Sequence, residues 1–461
     1  MRLVRVTLLP LLFCCASTVA SAQSSLDAST AHIREAALAD DTAWRVTESL
    51  TTEIGARPVG SPTMERARDW AIAKFRELGF TNIKVENFTT PAWHRIGFDR
   101  AEIVGPYPHH LEVLALGKSA PTPPGGLEAP IVLFHSYREL LAAPEGALKG
   151  KIAVVTERIA RTQDLSGYGS TIMQRVMGPA EAAKRGAVGY LTRSLSTATS
   201  RLPHTGGARA GGIPAGALST PDAELLEHMV ERGKPVVIRL DFASELVPAA
   251  PAYNISAELP GTTDETVIIG GHLDSWDVGT GAVDDGCGIG IAVAAARLAV
   301  KDGGKPRRTI RVVMWGSEEQ GGSSDAYAKA RGAEASRMVV AGESDTGADR
   351  VFAVALPRGS AEHPAMRAFV NGLTPFGIVV RKTPAEDGGA DIEGLIAAGV
   401  PTVEMTQDLT RYMDLHHSQD DTLDKIDRTQ LAQNVAVWAM FLHDVAYSDV
   451  NFRALAAASK K

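Results

Sequence analysis

The second half of the chain alternates apolar, strand-like runs with helical segments, and no other sequence feature constrains the fold more. The predicted strands are 266–269, 310–314, 338–340 and 401–405, and the predicted helices are 289–300 and 431–445. Continuous apolar strands separated by helices are typical of parallel sheets that are buried on both faces. The alternation therefore predicts an α/β fold, with a mixed sheet that is parallel at its centre and has helices on both faces.

Residues 101–250 have a different pattern. Short Val/Ile runs there, broken by Gly and Pro, lie at 131–134, 152–155, 188–191 and 236–240. These runs predict a separate, mostly β domain. A chain of 461 residues has room for two or three domains. The alternating pattern resumes after residue 250, so the predicted site lies in residues 251–461.

The N-terminus has the pattern of an export signal. Two arginines precede an apolar run at 8–15, and residues 20–22 provide the small-x-small pattern that signal peptidase reads. We predict cleavage between Ala22 and Gln23, so that residues 1–22 are a signal peptide. The mature protein is then periplasmic or secreted.

Charge and hydropathy limit the partners of the mature chain. The full sequence has 47 basic and 54 acidic residues, a net charge of −7, and removal of Arg2 and Arg5 with residues 1–22 leaves −9. No dense Lys/Arg run occurs, which argues against a nucleic-acid partner. After residue 22, no apolar run approaches the roughly 18 to 20 residues that span a bilayer. We therefore expect no transmembrane segment. Cys287 is the one cysteine left after cleavage, and we interpret it as a small residue at a helix start.

Acidic residues and histidines cluster just after the predicted strands of the second half. The five groups are His272 with Asp274, Asp284 with Asp285, Glu318 with Glu319, Glu343 with Asp345, and His416 with His417. Ligand sites of open α/β sheets form at the carboxyl ends of the strands. A two-metal hydrolytic site needs such a set, because a bridging carboxylate holds two divalent ions and each ion takes one histidine and one further carboxylate. Two dications, three carboxylates and a bridging hydroxide also sum to zero charge.

Each group taken alone also has an ordinary structural interpretation. Asp274 shares a face with His272 and can accept a hydrogen bond from its ring, as in carboxylate–histidine–metal arrangements. Either Asp284 or Asp285 could cap the following helix. Of the two adjacent glutamates, one could bind metal while the other handles a proton. The residues themselves do not decide between these roles.

With these groups in place, the sequence resembles the co-catalytic zinc exopeptidases. The resemblance rests on the run 272–279 and on 281–286, and it extends from 53–57 to the final helix. It implies that 101–250 is a protease-associated domain inserted into a catalytic domain, which is made of residues 23–100 and 251–461. It also implies two Zn²⁺ ions. The same ligands would also accept cobalt or manganese.

The resemblance also implies roles for the individual residues. The implied metal ligands are His272, Asp284 and Asp345 for one ion, and Asp284, Glu319 and His417 for the other. Glu318 is implied as the general base, and Asp274 as the support of His272. Glu343 is the alternative to Asp345, because residues two apart in a strand share a face.

Residues on the substrate side are implied in the same way. His416 stands where several relatives have a tyrosine, and we expect its neutral imidazole to donate to the developing oxyanion. The alternative is that His416 only packs under its loop. The segment 389–401 resembles the substrate-side loop of the family, which makes Gly389 and Asp391 the candidate substrate-binding residues. Ile392 departs from the pattern, because many relatives have histidine there.

These expectations describe a metallo-exopeptidase that hydrolyses short peptides, di- and tripeptides above all. One alternative is a glutaminyl-cyclase-like acyl transfer on the same fold, which uses a single zinc. Another is a non-catalytic binding protein derived from a peptidase, which should have lost metal ligands or the base. A homodimer is compatible with the sequence, which does not fix the oligomeric state, the side-chain preference or the anchored end of the substrate.

Overall fold

The computed structural model describes residues 28–459. The predicted signal peptide and its cleavage site lie outside these residues. The strands are β1 (Thr81–Arg95), β2 (Arg100–Gly105), β3 (His109–Leu111), β4 (Val113–Ala115), β5 (Leu127–Phe134), β6 (Ile152–Val155), β7 (Gly189–Arg193), β8 (Ala215–Leu218), β9 (Val237–Asp241), β10 (Ser244–Leu259), β11 (Thr266–His272), β12 (Thr309–Trp315), β13 (Met338–Glu343), β14 (Val351–Ala355), β15 (Val379–Val380) and β16 (Glu404–Gln407).

The helices connect and cover these strands. They are α1 (28–38), α2 (Thr42–Ser49), α3 (Pro62–Glu77), α4 (Tyr137–Ala142), α5 (Ser166–Thr171), α6 (Met173–Val176), α7 (Gly178–Lys184), α8 (Thr220–Glu231), α9 (Cys287–Val300), α10 (Ser323–Arg331), α11 (Arg367–Leu373), α12 (Glu393–Ala397), α13 (Tyr412–Leu415), α14 (Arg428–Tyr447) and α15 (Phe452–Ala458). Within residues 28–459, no helix is both long and apolar enough to cross a bilayer.

The central sheet has five strands in the order β1-β10-β12-β11-β13. β11 pairs in parallel with β12 and β13, whereas β10 pairs antiparallel with β1 and β12. Alternate residues of β11 reach opposite faces: Val267 and Ile269 pack with α9 and α14, and Ile268 packs with α10 and α12. The predicted α/β fold, with a mixed sheet and helices on both faces, is therefore confirmed.

A small sheet of order β15-β14-β16 adjoins the central one, with an isolated parallel bridge between Ala341 and Thr402. The strand predicted at 401–405 begins only at Glu404 and runs antiparallel to β14. Its side chains therefore belong to this second sheet and not to the parallel centre.

Residues 100–241, here called the middle block, form an eight-stranded sheet of order β3-β2-β9-β5-β6-β7-β8-β4. Strands β5 to β8 are parallel neighbours. The four predicted Val/Ile runs all lie in or beside its strands. The block is less β-rich than predicted because it also contains the five helices α4 to α8, and parallel neighbours need such crossover connections.

Two long strands join the middle block to the central sheet. β1 and β10 pair antiparallel from Thr81 opposite Glu258 to Arg95 opposite Ser244. The domain boundary expected at residue 250 falls inside β10. The chain thus enters and leaves the middle block through one continuous pair of strands.

Candidate metal centre

The carboxyl ends of β11, β12 and β13 lie side by side, and the predicted site residues gather there. His272 ends β11, Asp284 lies in the turn before α9, Glu318 and Glu319 follow β12, Asp345 follows β13, and His416 and His417 follow α13. Five segments that are distant in sequence therefore supply one cluster.

Asp284 lies at the centre of this cluster. Its Oδ1 is 3.0 Å from Nε2 of His272, and its Oδ2 is 3.3 Å from Nε2 of His417. Oδ1 of Asp345 lies 3.3 Å from Nε2 of His272, and Oε2 of Glu319 lies 3.0 Å from Nε2 of His417. Each imidazole thus faces Asp284 and one further carboxylate, so that two ligand sets share Asp284.

The burial of this cluster fits divalent cations. Oδ2 of Asp284, Oε1 of Glu319 and Oδ1 of Asp345 are buried and have no hydrogen-bond partner. Burying such oxygens without compensation is costly, and a cation removes that cost. Ligand atoms of His272, Asp284 and Glu319 all lie within 4.8 Å of one another. Imidazole nitrogens with carboxylate oxygens are a donor set that zinc accepts.

The protonation of Asp284 and of Glu318 is shifted in opposite directions. Burial acts to raise the pKa of Asp284, but its close contacts with the His272 and His417 rings and the charges of those rings outweigh burial and hold this pKa well below its usual value. Burial raises the pKa of Glu318 well above its usual value. A carboxylate that stays charged suits a bridge, and one with a raised pKa suits a group that exchanges a proton.

Asp274 connects the ends of β11 and β12. Its carboxylate accepts hydrogen bonds from the amides of Glu318, at 2.9 Å, and Glu319, at 3.2 Å. Nδ1 of His272 lies 2.9 Å from the main-chain carbonyl oxygen of Asp274 and 3.6 Å from its Oδ1. The nearest acceptor for Nδ1 of His272 is therefore the main-chain carbonyl of Asp274. From the sequence we had expected the carboxylate of Asp274 in this position.

The remaining acidic neighbours bind main-chain amides. Asp285 accepts from the amides of His272 and Gly288, both at 3.1 Å, and so caps α9. Glu343 accepts from the amide of Asp391 at 2.9 Å. Asp345 and not Glu343 contacts His272, and Asp284 and not Asp285 lies between the two imidazoles.

His416 stacks on its neighbour. The ring centroids of His416 and His417 are 3.5 Å apart, and Nε2 of His416 is 3.7 Å from Oδ2 of Asp284. Burial and the charge of His417 lower the pKa of His416 well below its usual value, so its imidazole is neutral. His416 could also join Asp284 and His417 in holding a cation. His417 lies closer to Asp284, however, at 3.3 Å, and also contacts Glu319 at 3.0 Å.

A cavity of about 350 Å³ adjoins the cluster beside Asp345. Gly389 lines it together with Glu404 and Gln407. The side chain of Asp391 does not line it, because this residue is 1% exposed and accepts a hydrogen bond from Ser323 at 2.6 Å. Burial raises the pKa of Asp391 to about 8. The structure therefore brings Gly389, but not Asp391, to the wall of the cavity.

Arg57 is a buried residue of the site to which the sequence had given no role. Its guanidinium donates to the carbonyl oxygens of Leu273, of Thr280 at 2.8 Å and of Gly281 at 2.9 Å. It thereby fixes the loop that leads from β11 to Asp284. No local pattern marks Arg57, since its acceptors are main-chain atoms far along the chain.

Asp421 is a second supporting residue that we had not predicted. It accepts a hydrogen bond from the amide of Val283 at 2.6 Å. Burial raises the pKa of Asp421 to about 7. Its position four residues after His417 is the signal that could have identified it, because the two residues lie on one loop.

Comparisons with known proteins agree with this geometry. Residues 254–442 match peptidase family M28. The chain is 34% identical over 407 residues to carboxypeptidase Q of Mus musculus, covering 87% of this chain and 84% of that protein. It is 33% identical over 404 residues to carboxypeptidase Q of Homo sapiens, covering 86% and 84%.

Two solved structures extend the comparison. The crystal structure of a peptidase M28 precursor from Shewanella amazonensis superimposes with a TM-score of 0.89 at 41% identity, covering 93% of this chain and 98% of that one. A zinc aminopeptidase from Bacillus subtilis shares the fold, with a TM-score of 0.63 at 17% identity, covering 89% and 96%.

Proposed function

The chain belongs to peptidase family M28 and is a metallo-exopeptidase similar to carboxypeptidase Q, and on this premise we propose that it is an exported enzyme that uses two zinc ions to hydrolyse di- and tripeptides. The observation that carries the proposal is the position of Asp284 between His272 and His417, each of which faces one further carboxylate. Two ligand sets with one shared carboxylate are what a two-metal hydrolytic site requires.

The ligands of the proposed centre divide between the two ions. They are His272, Asp284 and Asp345 for one ion, and Asp284, Glu319 and His417 for the other. When bound, zinc supplies Lewis-acid polarisation of the scissile carbonyl and makes water more acidic. Cobalt or manganese would be accepted by the same donors.

Glu318 is the proposed general base. It lies beside Glu319 and its amide is fixed by Asp274. In the proposed reaction, Glu318 takes a proton from the attacking water as the new C–O bond forms. It then gives that proton to the amine nitrogen as the C–N bond breaks. The raised pKa of Glu318 supports this exchange.

His416 is the proposed donor to the developing oxyanion. A neutral imidazole has one N–H to donate. Burial lowers the pKa of His416, and a bound dication would disfavour its protonated form in the same direction. Its stacking on His417 places it within the cluster. One well-placed donor of this kind contributes about 10²- to 10³-fold to turnover.

We propose that the cavity beside Asp345 receives the amino end of the substrate. The carboxylates of Asp164, Asp387 and Glu404 line it, whereas Arg381 is the one cation among its lining residues. An excess of carboxylates favours a free α-ammonium group. We expect dipeptides with a free amino end to be hydrolysed faster than their N-acetylated forms, and carboxyl-end amidation to matter less.

The remaining expectations from the sequence complete the proposal. Residues 1–22 are a signal peptide, cleaved before Gln23, and the mature enzyme is periplasmic or secreted. Residues 101–250 are, in this proposal, an insertion of the protease-associated type. The pairing of β1 with β10 at the two ends of the middle block supports the insertion.

Counting the bound metal tests the proposal directly. The mature protein, purified without chelator, should contain two zinc ions per chain by elemental analysis and should hydrolyse unblocked dipeptides. One ion per chain would overturn the two-metal centre in favour of a cyclase-like enzyme. A chain without metal and without activity would instead favour a binding protein.

A further inference from the structure

His417 has a backbone conformation that is rare for a residue with a side chain. Its φ is +58°, in the left-handed region. Such a residue keeps this conformation only when its surroundings hold it. The contacts that hold His417 therefore matter for any metal bound to its ring.

Those contacts come from Thr205 of the middle block. The amide of Thr205 donates to the carbonyl oxygen of His417 at 2.9 Å, and Nδ1 of His417 lies 3.4 Å from the carbonyl oxygen of Thr205. Thr205 is completely buried. A ring whose Nδ1–H donates to a carbonyl presents the lone pair of Nε2 to a metal. Thr205 thus holds both the backbone and the ring of His417.

Gly206 and Arg175 complete the contact on the side of the ring away from Asp284. Nη1 of Arg175 is 3.5 Å from Nδ1 of His417. A Cβ at Gly206 would lie 2.5 Å from Nη1 of Arg175 and 2.8 Å from Nδ1 of His417, and the φ of Gly206 is +138°. No side chain fits between these groups, so the close approach requires glycine.

Trp276 makes the reverse contact, from the metal-site loops, here meaning residues 273–286 after β11 and 416–421 after α13, into the middle block. It lies after β11 and packs into the apolar cluster that the middle block forms with Trp93 of β1; the ring centroids of Trp276 and Trp93 are 6.4 Å apart. The ring centroids of Trp276 and His417 are 5.7 Å apart. A Cβ at Gly117 would lie 2.5 Å from Cη2 of Trp276. The middle block and the metal-site loops therefore interlock around His417.

We propose that the middle block is a structural part of the metal centre, in which segment 204–206 positions His417 for the ion shared with Asp284 and Glu319. The inference rests on the proposed two-metal centre. Thr205 is a positioning residue, since it touches neither the ion nor the substrate. By linkage, docking of the segment strengthens binding of that ion, and the ion stabilises the docked segment.

Two neighbouring glycines allow a matched test. In Gly206→Ala the added methyl must displace the His417 ring or Arg175, whereas in Gly207→Ala it would meet only the carbonyl oxygen of Glu319 at 3.7 Å, an ordinary contact. We expect Gly206→Ala to lose about 10- to 100-fold in affinity for one of the two ions, as is typical when an outer-sphere partner of a ligand is disturbed. Gly207→Ala should hold both ions as the wild type does.

The readout is zinc per chain during titration of the full-length mature protein with a competing chelator. The inference is supported if the wild type holds two ions and only Gly206→Ala loses one of them at a lower chelator concentration. The inference is overturned if the wild type and both variants hold two ions and lose them at the same chelator concentration. The two-metal proposal would then still stand. Fewer than two ions in wild type overturns the two-metal proposal and with it the inference.

Hydrogen exchange of the wild type keeps the inference testable if Gly206→Ala does not fold. The amide of Thr205, which is bonded to His417, should exchange about tenfold faster or more after the ions are removed. An unchanged rate at Thr205, with faster exchange in residues 416–421, would overturn the inference.

Discussion

The two imidazoles at the centre of the site are held in different ways. His272 ends a fully buried strand with parallel partners on both sides, and its ring bonds to a carbonyl only two residues away. His417 lies in a loop, in a left-handed conformation, and its ring contacts a carbonyl 212 residues away. One half of the site is therefore built locally, whereas the other depends on long-range packing.

This difference has a physical consequence. A ligand at the end of a strand inherits the rigidity of the sheet hydrogen bonds. A ligand on a loop is only as well placed as the contacts around it, and loops have the lower local stability. The His272 half should tolerate changes in distant packing that weaken the His417 half.

The largest effects are expected from changes to a ligand of either half. Asp345→Asn should remove the ion beside His272 and nearly abolish activity, because Oδ1 of Asp345 faces that ring. Glu343→Gln is the matched control and should retain both ions, since Glu343 binds the amide of Asp391. The zinc content of the two variants decides between the residues; loss of metal in Glu343→Gln alone would reverse the assignment.

Substitutions of Glu318 and Glu319 should distinguish proton transfer from metal binding in the His417 half. Glu318→Gln should keep both ions while turnover falls by about 10²- to 10⁴-fold, as for other acid–base groups. Glu319→Gln should lose the ion beside His417. Zinc analysis combined with dipeptide turnover makes the distinction, and an emptied site in Glu318→Gln with full occupancy in Glu319→Gln would exchange the two roles.

His416→Ala tests whether the loop that carries His417 also contributes to catalysis. Turnover should fall by about 10²- to 10³-fold, the cost of losing one oxyanion donor, with metal content unchanged. Near wild-type turnover with both ions bound would make His416 a packing residue under its loop. Steady-state kinetics at saturating substrate measure the effect.

The smallest effect is expected for Asp285, which caps α9 beside the His272 half. Asp285→Asn keeps one acceptor oxygen for the amides of His272 and Gly288. We expect both ions to remain and the free energy of unfolding to fall by about 0.5 to 2 kcal/mol. Denaturant unfolding measures the change, and a loss of metal would show that Asp285 does more than cap α9.

The sequence predicted the ligands of both halves. The strands that end at His272 and before Asp345 are continuous apolar runs, and the polar residues that follow them mark the ligand edge of the sheet. Glu319 follows the strand predicted at 310–314, and His417 precedes the helix predicted at 431–445. Their clustering with Asp284 could therefore be expected. The structure brings all five of these residues together.

The supporting residues could not be predicted in this way. Arg57 bonds to Leu273 across 216 residues, and Thr205 bonds to His417 across 212. In both contacts the acceptor is a main-chain carbonyl. Every residue type has such a carbonyl, so the sequence does not indicate which residue accepts. Asp391 shows the same limit: its segment resembles a substrate loop, but packing against Ser323 turns its side chain away from the cavity.

The pairing of β1 with β10 bears on how such a molecule can acquire or lose a large segment. Because the two strands lie side by side, the whole middle block is a loop whose two ends are already joined by sheet hydrogen bonds. The entropy of closing a loop grows only with the logarithm of its length, about 0.6 kcal/mol for each doubling. A change in the length of the middle block therefore alters the closure entropy of the sheet only slightly. The stronger constraint on the block comes from its residues that touch the metal-site loops.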